Sequence, residues 1–509
     1  MSTPIPHQQK SIAQFNLKLI GFGLVVGCFS GLLSVAYRFA ISQTEILRRN
    51  FYQSAHLSNI FIAILAIICF TYIIVKLLAW APFSNGSGIP QIKAEILDRI
   101  DPKPIPTVIS KFIGGILNNL MGYSVGREGP SIQIGGMIAK WLAQTKKFDA
   151  IETKYLTTAG ASAGLSAAFN APMAGVLFSV EEMYGSLSHA IMIPCIIASV
   201  MANYISFKLL GFEPAFSFSI HENLSIQYLP GVLLLGVLCG FIGVLFNVGL
   251  IKTGALFQKI NLRPYTLILI ISFLMFIVGF FQADLQGGGH HLIEQLIHNN
   301  YALPLLIMLL IGKLCLTLIC YNSGVQGGIF LPVLVIGAIV GVIYYQMNFP
   351  WIAQGYLNNY IILGMVGVLC AVIQAPLLSI ILVIEMTGSF DHLISVTTVA
   401  MVALLTVNLL KIQPIYESLY HNLLNKINGK NIFNQQELIL TDLKLPSNHP
   451  VNGLTLRQIE KPCYFVVAEI IRDGQHILPN ADDQLKGLDQ MTLLHYREDT
   501  EQIKQYFNR

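Results

Sequence analysis

The stretch Gly126-Arg127-Glu128-Gly129-Pro130 places two full charges inside the largely apolar segment 121–141. A charge near the middle of a bilayer costs on the order of 3 kcal/mol even on insertion scales, so it is paired, turned inward or used in function. The flanking glycines leave the backbone open to close approach. Pro130 suits the first turn of a helix, and Ser131-Ile132-Gln133-Ile134-Gly135-Gly136-Met137 continues it. The N–H groups around Glu128 are therefore expected to face the protein interior. A helix N-terminus carries about half a positive charge and unpaired donors, which makes it an anion site. Glu128 then reads as a tethered anion standing where a free anion could stand. A salt bridge pinning two helices is the competing reading.

The surroundings support a membrane setting. The chain has 509 residues, 54% hydrophobic and 11% charged, with a mean hydropathy of +0.62, against about a quarter charged residues in a soluble domain. Apolar runs at 17–40, 60–80, 191–210, 229–251, 267–281, 303–320 and 361–370 are long enough, or nearly so, to cross a hydrocarbon core of about 30 Å. Other runs are too short to span in the usual way. The expected class is an all-α polytopic membrane protein. The polar first sixteen residues lead into a full-length apolar run with no cleavage pattern behind it, so no removable signal peptide is expected. Of the eight cysteines only Cys463 lies outside an apolar run, which argues against a disulfide framework. The net charge of +4 is scattered, and no basic run with interleaved aromatics points to nucleic acid. Arg48-Arg49 follow the first span while Lys10 and Lys18 precede it, so loop charges leave the topology open.

Upstream, Ser84-Asn85-Gly86-Ser87-Gly88-Ile89-Pro90 is too rich in glycine for helix and precedes a helical pattern over 91–100. Irregular backbone at membrane depth survives only where protein or a water-filled path surrounds it. The Ser87 hydroxyl can donate to an anion; a simple turn is the alternative. Downstream, Ala159-Gly160-Ala161-Ser162-Ala163-Gly164 suits close helix packing. Then Phe169-Asn170-Ala171-Pro172 opens a short apolar helix ending in Glu181-Glu182-Met183. Those carboxylates cannot both face lipid. One of them lining a proton path and both being solvated at the surface are left as equal alternatives.

The second half repeats the first. Phe169-Asn170-Ala171-Pro172 through Val180-Glu181 matches Ile373-Gln374-Ala375-Pro376 through Ile384-Glu385 at an offset of 204, and Pro130 and Gly135 match Pro332 and Gly337 at 202. Matching Pro/Gly-interrupted apolar segments in two halves point to a transporter binding site between internal repeats. The second copy, Gly324-Val325-Gln326-Gly327-Gly328-Ile329-Phe330-Leu331-Pro332, lacks the charges but keeps glycines before a helix start. Two helix N-termini are thus expected to converge on one anion. Gly287-Gly288-Gly289-His290-His291 with Glu294 invites a metal reading, but adjacent histidines diverge on a helix. A loop and helix start is preferred, and no metal or cofactor is expected. Tyr416, after Lys411-Ile412-Gln413-Pro414-Ile415, either reaches back into the membrane part or anchors at the interface.

From about residue 421 the composition turns polar, and the tail from 437 reads as a small α/β domain. Strands are expected at 464–471 and 491–496, a hairpin turn at Asp473-Gly474, and helices at 455–460 and 500–507.

With these residues in view, 17–420 resembles the CLC family of chloride channels and proton-coupled chloride exchangers. The resemblance rests on four motifs in the family's order: Gly86-Ser87-Gly88-Ile89-Pro90, Gly126-Arg127-Glu128-Gly129-Pro130, Gly327-Gly328-Ile329-Phe330-Leu331-Pro332 and the late Tyr416. It implies a homodimer with one pore per subunit, each built from two inverted halves that meet near 215–225. It also implies that Ser87 and Tyr416 donate hydroxyls to a central chloride. Gly126, Arg127, Gly129, Ile329 and Phe330 would then line the outer path, with Glu128 as the gating glutamate. Glu182 matches the inner proton-transfer glutamate of the exchangers, with Glu181 as a proton-path helper. Ser87 resembles chloride-preferring members rather than nitrate-preferring ones, which carry proline there, and Glu182 argues against the fluoride exchangers. Leu331 replaces a common alanine. The tail, through Gly453-Leu454-Thr455-Leu456, Ile471-Arg472-Asp473-Gly474, Pro479 and Gly487, resembles a TrkA-C ligand-sensing module, although Leu488 interrupts the usual Gly-Asp pair. The implied organisation is a cytosolic tail 1–16, a membrane domain 17–420, a linker 421–436 and a regulatory domain 437–509. That domain would sense a small cytosolic ligand. The implied function is chloride/proton exchange across a bacterial inner membrane by a non-enzyme. The rivals are a passive voltage- or pH-gated chloride channel, and a membrane enzyme using Glu181, Glu182, His290 and His291, which no working residue spacing supports.

Overall fold

Length and apolarity sort the helices of this computed structural model into two kinds. The structure describes residues 6–53, 57–185, 189–211, 216, 224–260, 262–388, 392–428, 438–447, 449–459, 463–472, 475–496 and 499–507. Among them, six helices are long and apolar enough to cross a membrane: Leu17–Gln53, Asn59–Trp80, Ala190–Leu210, Leu229–Ile260, Pro264–Phe281 and Leu303–Asn322. Shorter apolar helices such as Phe330–Gln346 and Leu357–Ile373 are buried along nearly their whole length. The run 361–370, expected as near spanning length, belongs to this second kind. Its neighbours are protein rather than lipid, so its apolarity reflects a core.

The chain divides into two compact units, Met1–Leu423 and Leu424–Arg509. The first contains α1 (Pro6–Gln53), α2 (Leu57–Trp80), α3 (Ile89–Ile96), α4 (Pro104–Leu120), α5 (Glu128–Thr145), α6 (Ala150–Phe169), α7 (Pro172–Phe178) and α8 (His189–Leu210). Then follow α9 (Leu229–Ile260), α10 (Pro264–Phe281), α11 (His290–His298), α12 (Leu303–Asn322), α13 (Phe330–Gln346), α14 (Leu357–Ile373), α15 (Pro376–Thr387) and α16 (Leu393–Leu409). The helix α17 (Ile415–Asn428) follows and runs across the boundary at Leu423. The helix α1 starts upstream of the apolar run, at Pro6. Gln8, Gln9 and Lys10 are good helix formers despite their polarity.

The repeat legible in two segments extends through the architecture, with α1–α8 answered in order by α9–α16. Backbone conformations recur with it. Gly88 (φ 92°) and Gly289 (φ 93°) occupy the left-handed region just before α3 and α11, and Asn170 (φ 58°) and Gln374 (φ 61°) do so just after α6 and α14. Close packing recurs too. A Cβ on Gly135 would collide with the backbone of Gly160, and one on Gly337 with that of Gly364. Such contacts let α5 press on α6 and α13 on α14 with backbones touching.

The second unit holds a four-stranded sheet in the order β1-β4-β2-β3, formed by β1 (Leu438–Lys444), β2 (Phe465–Arg472), β3 (Gln475–Ile477) and β4 (Gln490–Tyr496). All pairings are antiparallel. The strands expected at 464–471 and 491–496 and the helix at 500–507 are present as β2, β4 and α18 (Thr500–Phe507). Asp473-Gly474 lies outside the described residues, between two strands that pair antiparallel. The helix expected at 455–460 is absent from its described residues. Thr455 instead bridges Gln484, and turns follow, because Leu456 and Arg457 give their N–H groups to Asp483 and Ala481 rather than to a helical ladder. A core of Leu445, Phe465, Ile470, Leu485, Met491, Leu493, Ile503 and Phe507 underlies the sheet. Asp489 receives Arg472 Nε at 2.8 Å and Nη2 at 2.7 Å. Burial pushes this carboxyl up, but Arg472 and the Lys486 N–H outweigh it and hold it below the ordinary carboxylate value. Leu488, where the Gly-Asp pair is interrupted, adopts φ 73°.

Candidate functional site

Three irregular loops meet where α3, α5 and α13 begin. Gly126 N–H donates to Gly328 O at 2.6 Å and Gly328 N–H returns to Gly126 O at 2.8 Å. Gly86 N–H donates to Val325 O, and Gly327 N–H to Gly86 O, both at 3.0 Å. These bonds satisfy backbone groups that water cannot reach. They also bring the N-termini of α5 and α13, one from each half, to the same place. Close approach requires glycine there: a Cβ on Gly129 would lie 2.7 Å from Ser87 O, and one on Gly328 would lie 3.2 Å from Gly129 N.

Two buried lysines, one in each half, donate to loop carbonyls. Lys111 on α4 donates to Ser84 O at 2.9 Å and Gly86 O at 2.7 Å. Lys313 on α12, 202 residues later, donates to Leu285 O at 3.3 Å and Gly287 O at 2.6 Å. Gly287-Gly288-Gly289-His290-His291 is therefore the structural counterpart of Gly86-Ser87-Gly88-Ile89-Pro90. A lysine-to-lysine match at the repeat offset was the available signal for this relation. The histidines begin α11, as the loop-and-helix reading expects. His290 faces Glu294 at 3.5 Å, and its ring lies 4.5 Å from that of Phe216 at a tilt of 31°. No group of three metal-ligating side chains occurs among the described residues.

Glu128 is fully buried at the first position of α5. Its carboxylate folds back over Gly126, where a Cβ would collide with it. The N–H groups of Glu128 itself and of Leu331 approach the carboxylate without closing a full hydrogen bond. One donor belongs to each converging helix start. Arg127 Nε stands 3.9 Å from Glu128 Oε1, at the outer limit of ion pairing and within the same loop. That contact pins no two helices together, which disposes of the salt-bridge reading.

Ser87 is buried, and its Oγ accepts the Ile89 N–H at 3.3 Å. Tyr416 is 1% exposed, so it reaches inward rather than anchoring at an interface, and its hydroxyl has no hydrogen-bond partner among the described residues. Its phenol is close enough to Tyr321, Glu182 and Glu128 to interact with each electrostatically. Tyr321, which the sequence does not single out, brings its hydroxyl beside Ser87. Ile329 and Phe330 open α13 in full burial, with the Phe330 ring 5.8 Å from that of Phe169.

Glu181 and Glu182 diverge. They sit in a π-helical turn, Ser179–Tyr184, that continues α7, a local widening frequent at functional sites. Glu182 points inward and is buried, with Lys93, Glu417 and Glu181 as its electrostatic neighbours. Lys93 and Glu417 are themselves paired at 2.5 Å. Glu181 turns toward α15, where its oxygens accept the Leu377 N–H at 3.1 Å and the Leu378 N–H at 2.7 Å. The alternative in which both carboxylates are simply solvated does not hold for Glu182.

Residues 69–408 match the family described as voltage gated chloride channel. The chain is 32% identical over 428 residues to an H(+)/Cl(-) exchange transporter ClcA of Klebsiella pneumoniae, across 81% of this chain and 90% of that relative. It is 32% identical over 433 residues to the protein of that name from Citrobacter koseri, across 82% and 90%. Among solved structures, a slow cyanobacterial Cl-/H+ antiporter superposes with a TM-score of 0.76 at 29% identity, over 81% of this chain and 99% of that one. A eukaryotic CLC transporter shares the fold at a TM-score of 0.67 and 20% identity, over 88% and 79%. With its converging loops, its two-half architecture and a family match running from residue 69 to 408, the chain belongs to the voltage gated chloride channel family.

Proposed function

We propose that this chain is a secondary active transporter that exchanges chloride for protons across a bacterial inner membrane. The observation that carries the reading is the burial of two carboxylates with different surroundings. Glu128 lies between two helix N-termini, where an anion competes with it. Glu182 lies apart from those donors, next to a Lys93–Glu417 pair. An anion route lined by N–H donors and positive helix ends repels protons, so protons need a separate titratable group. The names of the bacterial relatives, H(+)/Cl(-) exchange transporters, favour the same reading over a passive channel.

In this mechanism Ser87 and Tyr416 donate hydroxyls to chloride, and Gly126, Arg127, Gly129, Ile329 and Phe330 line the outer path. Ionised Glu128 takes the anion position; once neutral it no longer competes for the donors and yields to chloride. Glu182 passes protons between Glu128 and the cytosolic side. The test is purified protein in chloride-loaded liposomes with external pH and chloride recorded together. A chloride gradient is expected to drive protons uphill. Chloride efflux with no proton movement would establish a channel instead.

Ser87→Ala with Tyr416→Phe removes two neutral donors worth roughly 1 kcal/mol each, so chloride affinity measured by calorimetry should fall about thirtyfold. Unchanged affinity would place the site elsewhere or assign it to backbone alone.

The proposal includes a homodimer, which light scattering in detergent distinguishes from a monomer. It also gives the tail, read as TrkA-C-like, a sensing role for a small cytosolic ligand. A separate core and small size support that role. Cutting the chain after about residue 425, at the unit boundary, is expected to leave coupled exchange intact and to change its response to cytosolic solutes or pH. Loss of transport by a well-folded truncated dimer would count against a purely regulatory tail.

A further inference from the structure

The helices α7 and α15 each begin with an apolar N-cap, Ala171 and Ala375, followed by proline, and neither makes a side-chain cap of its own. The first N–H groups of a helix need acceptors, above all where water is absent. Each helix supplies them to the other. Glu385, near the C-terminus of α15, accepts the Met173 N–H at 3.0 Å and the Ala174 N–H at 2.8 Å. Glu181, just beyond the C-terminus of α7, accepts the corresponding N–H groups of Leu377 and Leu378. The two helices therefore run antiparallel, joined at both ends by a bidentate carboxylate. The glutamates are repeat mates, 204 residues apart. Glu181 and Glu182 are consecutive, so the Glu385 cap fixes one end of a short rod whose other end carries Glu182.

We propose that Glu385 is a positioning residue for proton transfer: by capping α7 it holds Glu182 in place, while Glu181 secures α15 in the mirror-related way. The inference rests on the exchange reading above. Neither glutamate needs to titrate in this role. An ionised carboxylate at a helix N-terminus is stabilised by the dipole and by both hydrogen bonds, and both oxygens of each are already engaged. Glu181 thereby takes a structural acceptor role beside the proton-path role that the family resemblance implies.

The experiment uses the full chain in chloride-loaded liposomes and reads protons moved per chloride. Glu385→Ala removes the cap and is expected to lower that ratio at least about threefold, the scale of a lost cap. A serine at position 171 can accept the Met173 or Ala174 N–H locally, so adding Ala171→Ser should bring the ratio back to within about 1.5-fold of the parent. Glu385→Gln keeps a carbonyl acceptor and should fall between the two, with the pH profile of proton transport unmoved. If Glu385→Ala cannot be recovered folded, Glu385→Gln with and without Ala171→Ser makes the same comparison. An unchanged ratio in the uncapped variant overturns the inference. So does failure of the serine to rescue, combined with a shifted pH profile in Glu385→Gln, which would make Glu385 a proton carrier. A parent that moves chloride without protons overturns the exchange reading, a result distinct from either.

Discussion

Replacing Glu128 with glutamine is expected to leave chloride moving and to stop proton movement. The substitution fixes the side chain in a form close in shape to the neutral acid. A neutral amide competes weakly with chloride for N–H donors at two helix starts, because the partial positive charge there, about half an elementary charge per helix, favours an anion over a neutral group. Chloride entry therefore loses its tethered rival. In the proposed mechanism the same substitution removes the group that exchanges a proton, a loss that commonly costs at least about a hundredfold in proton transfer. Burial makes replacement from elsewhere difficult, since Glu128 is fully enclosed and Arg127 is its nearest charged neighbour at 3.9 Å. Liposome recordings should show chloride efflux with proton flux at the level of empty vesicles. Continued uphill proton pumping by the Glu128→Gln variant would sink the mechanism.

The second large effect is expected at Glu182. Glu182→Gln should abolish proton movement yet keep chloride binding within about twofold of the parent, because no anion donor is removed. Geometry separates this prediction from a general loss of structure. Glu182 caps no helix, whereas Glu181 holds the start of α15 through two backbone N–H groups. Glu181→Gln retains a carbonyl oxygen for one of those bonds and should slow exchange less. A Glu182→Gln protein that pumps protons at the parent's rate would transfer the inner role to another residue. Within reach of Glu182 the electrostatic neighbours are Lys93, Glu417 and Glu181, so the search would begin at Glu417.

Local chemistry made much of this site legible. Two charges among glycines, a proline at a helix start and a second glycine-rich copy at an offset of 202 residues identified where backbone donors converge. The apolar runs identified a polytopic membrane chain, because lipid allows few ways to satisfy a backbone. In the tail, β2, β4 and α18 followed from alternation and helical spacing, whereas the stretch 455–460 did not become helix. Its N–H groups found partners at Ala481 and Asp483, acceptors about 24 to 27 residues away that no local propensity reports.

What the sequence by itself determined is the inventory: a membrane-spanning chain, two related halves, and an adjacent arginine and glutamate among glycines before a helix start. Tertiary structure decided the pairings, because they join residues remote in the chain. Gly126 meets Gly328, Lys111 and Lys313 each steady a loop on their own half, and Glu181 and Glu385 exchange caps between halves. Adjacent carboxylates were ambiguous in sequence, since spacing alone cannot say which faces solvent. The π-helical turn resolves them, sending Glu182 inward and Glu181 across to α15. An offset of 204 residues locates Glu385 on a repeat. Only the antiparallel packing of two uncapped helices makes it an acceptor, because the first N–H groups of a helix have no partner within it and take one from whichever chain segment lies alongside.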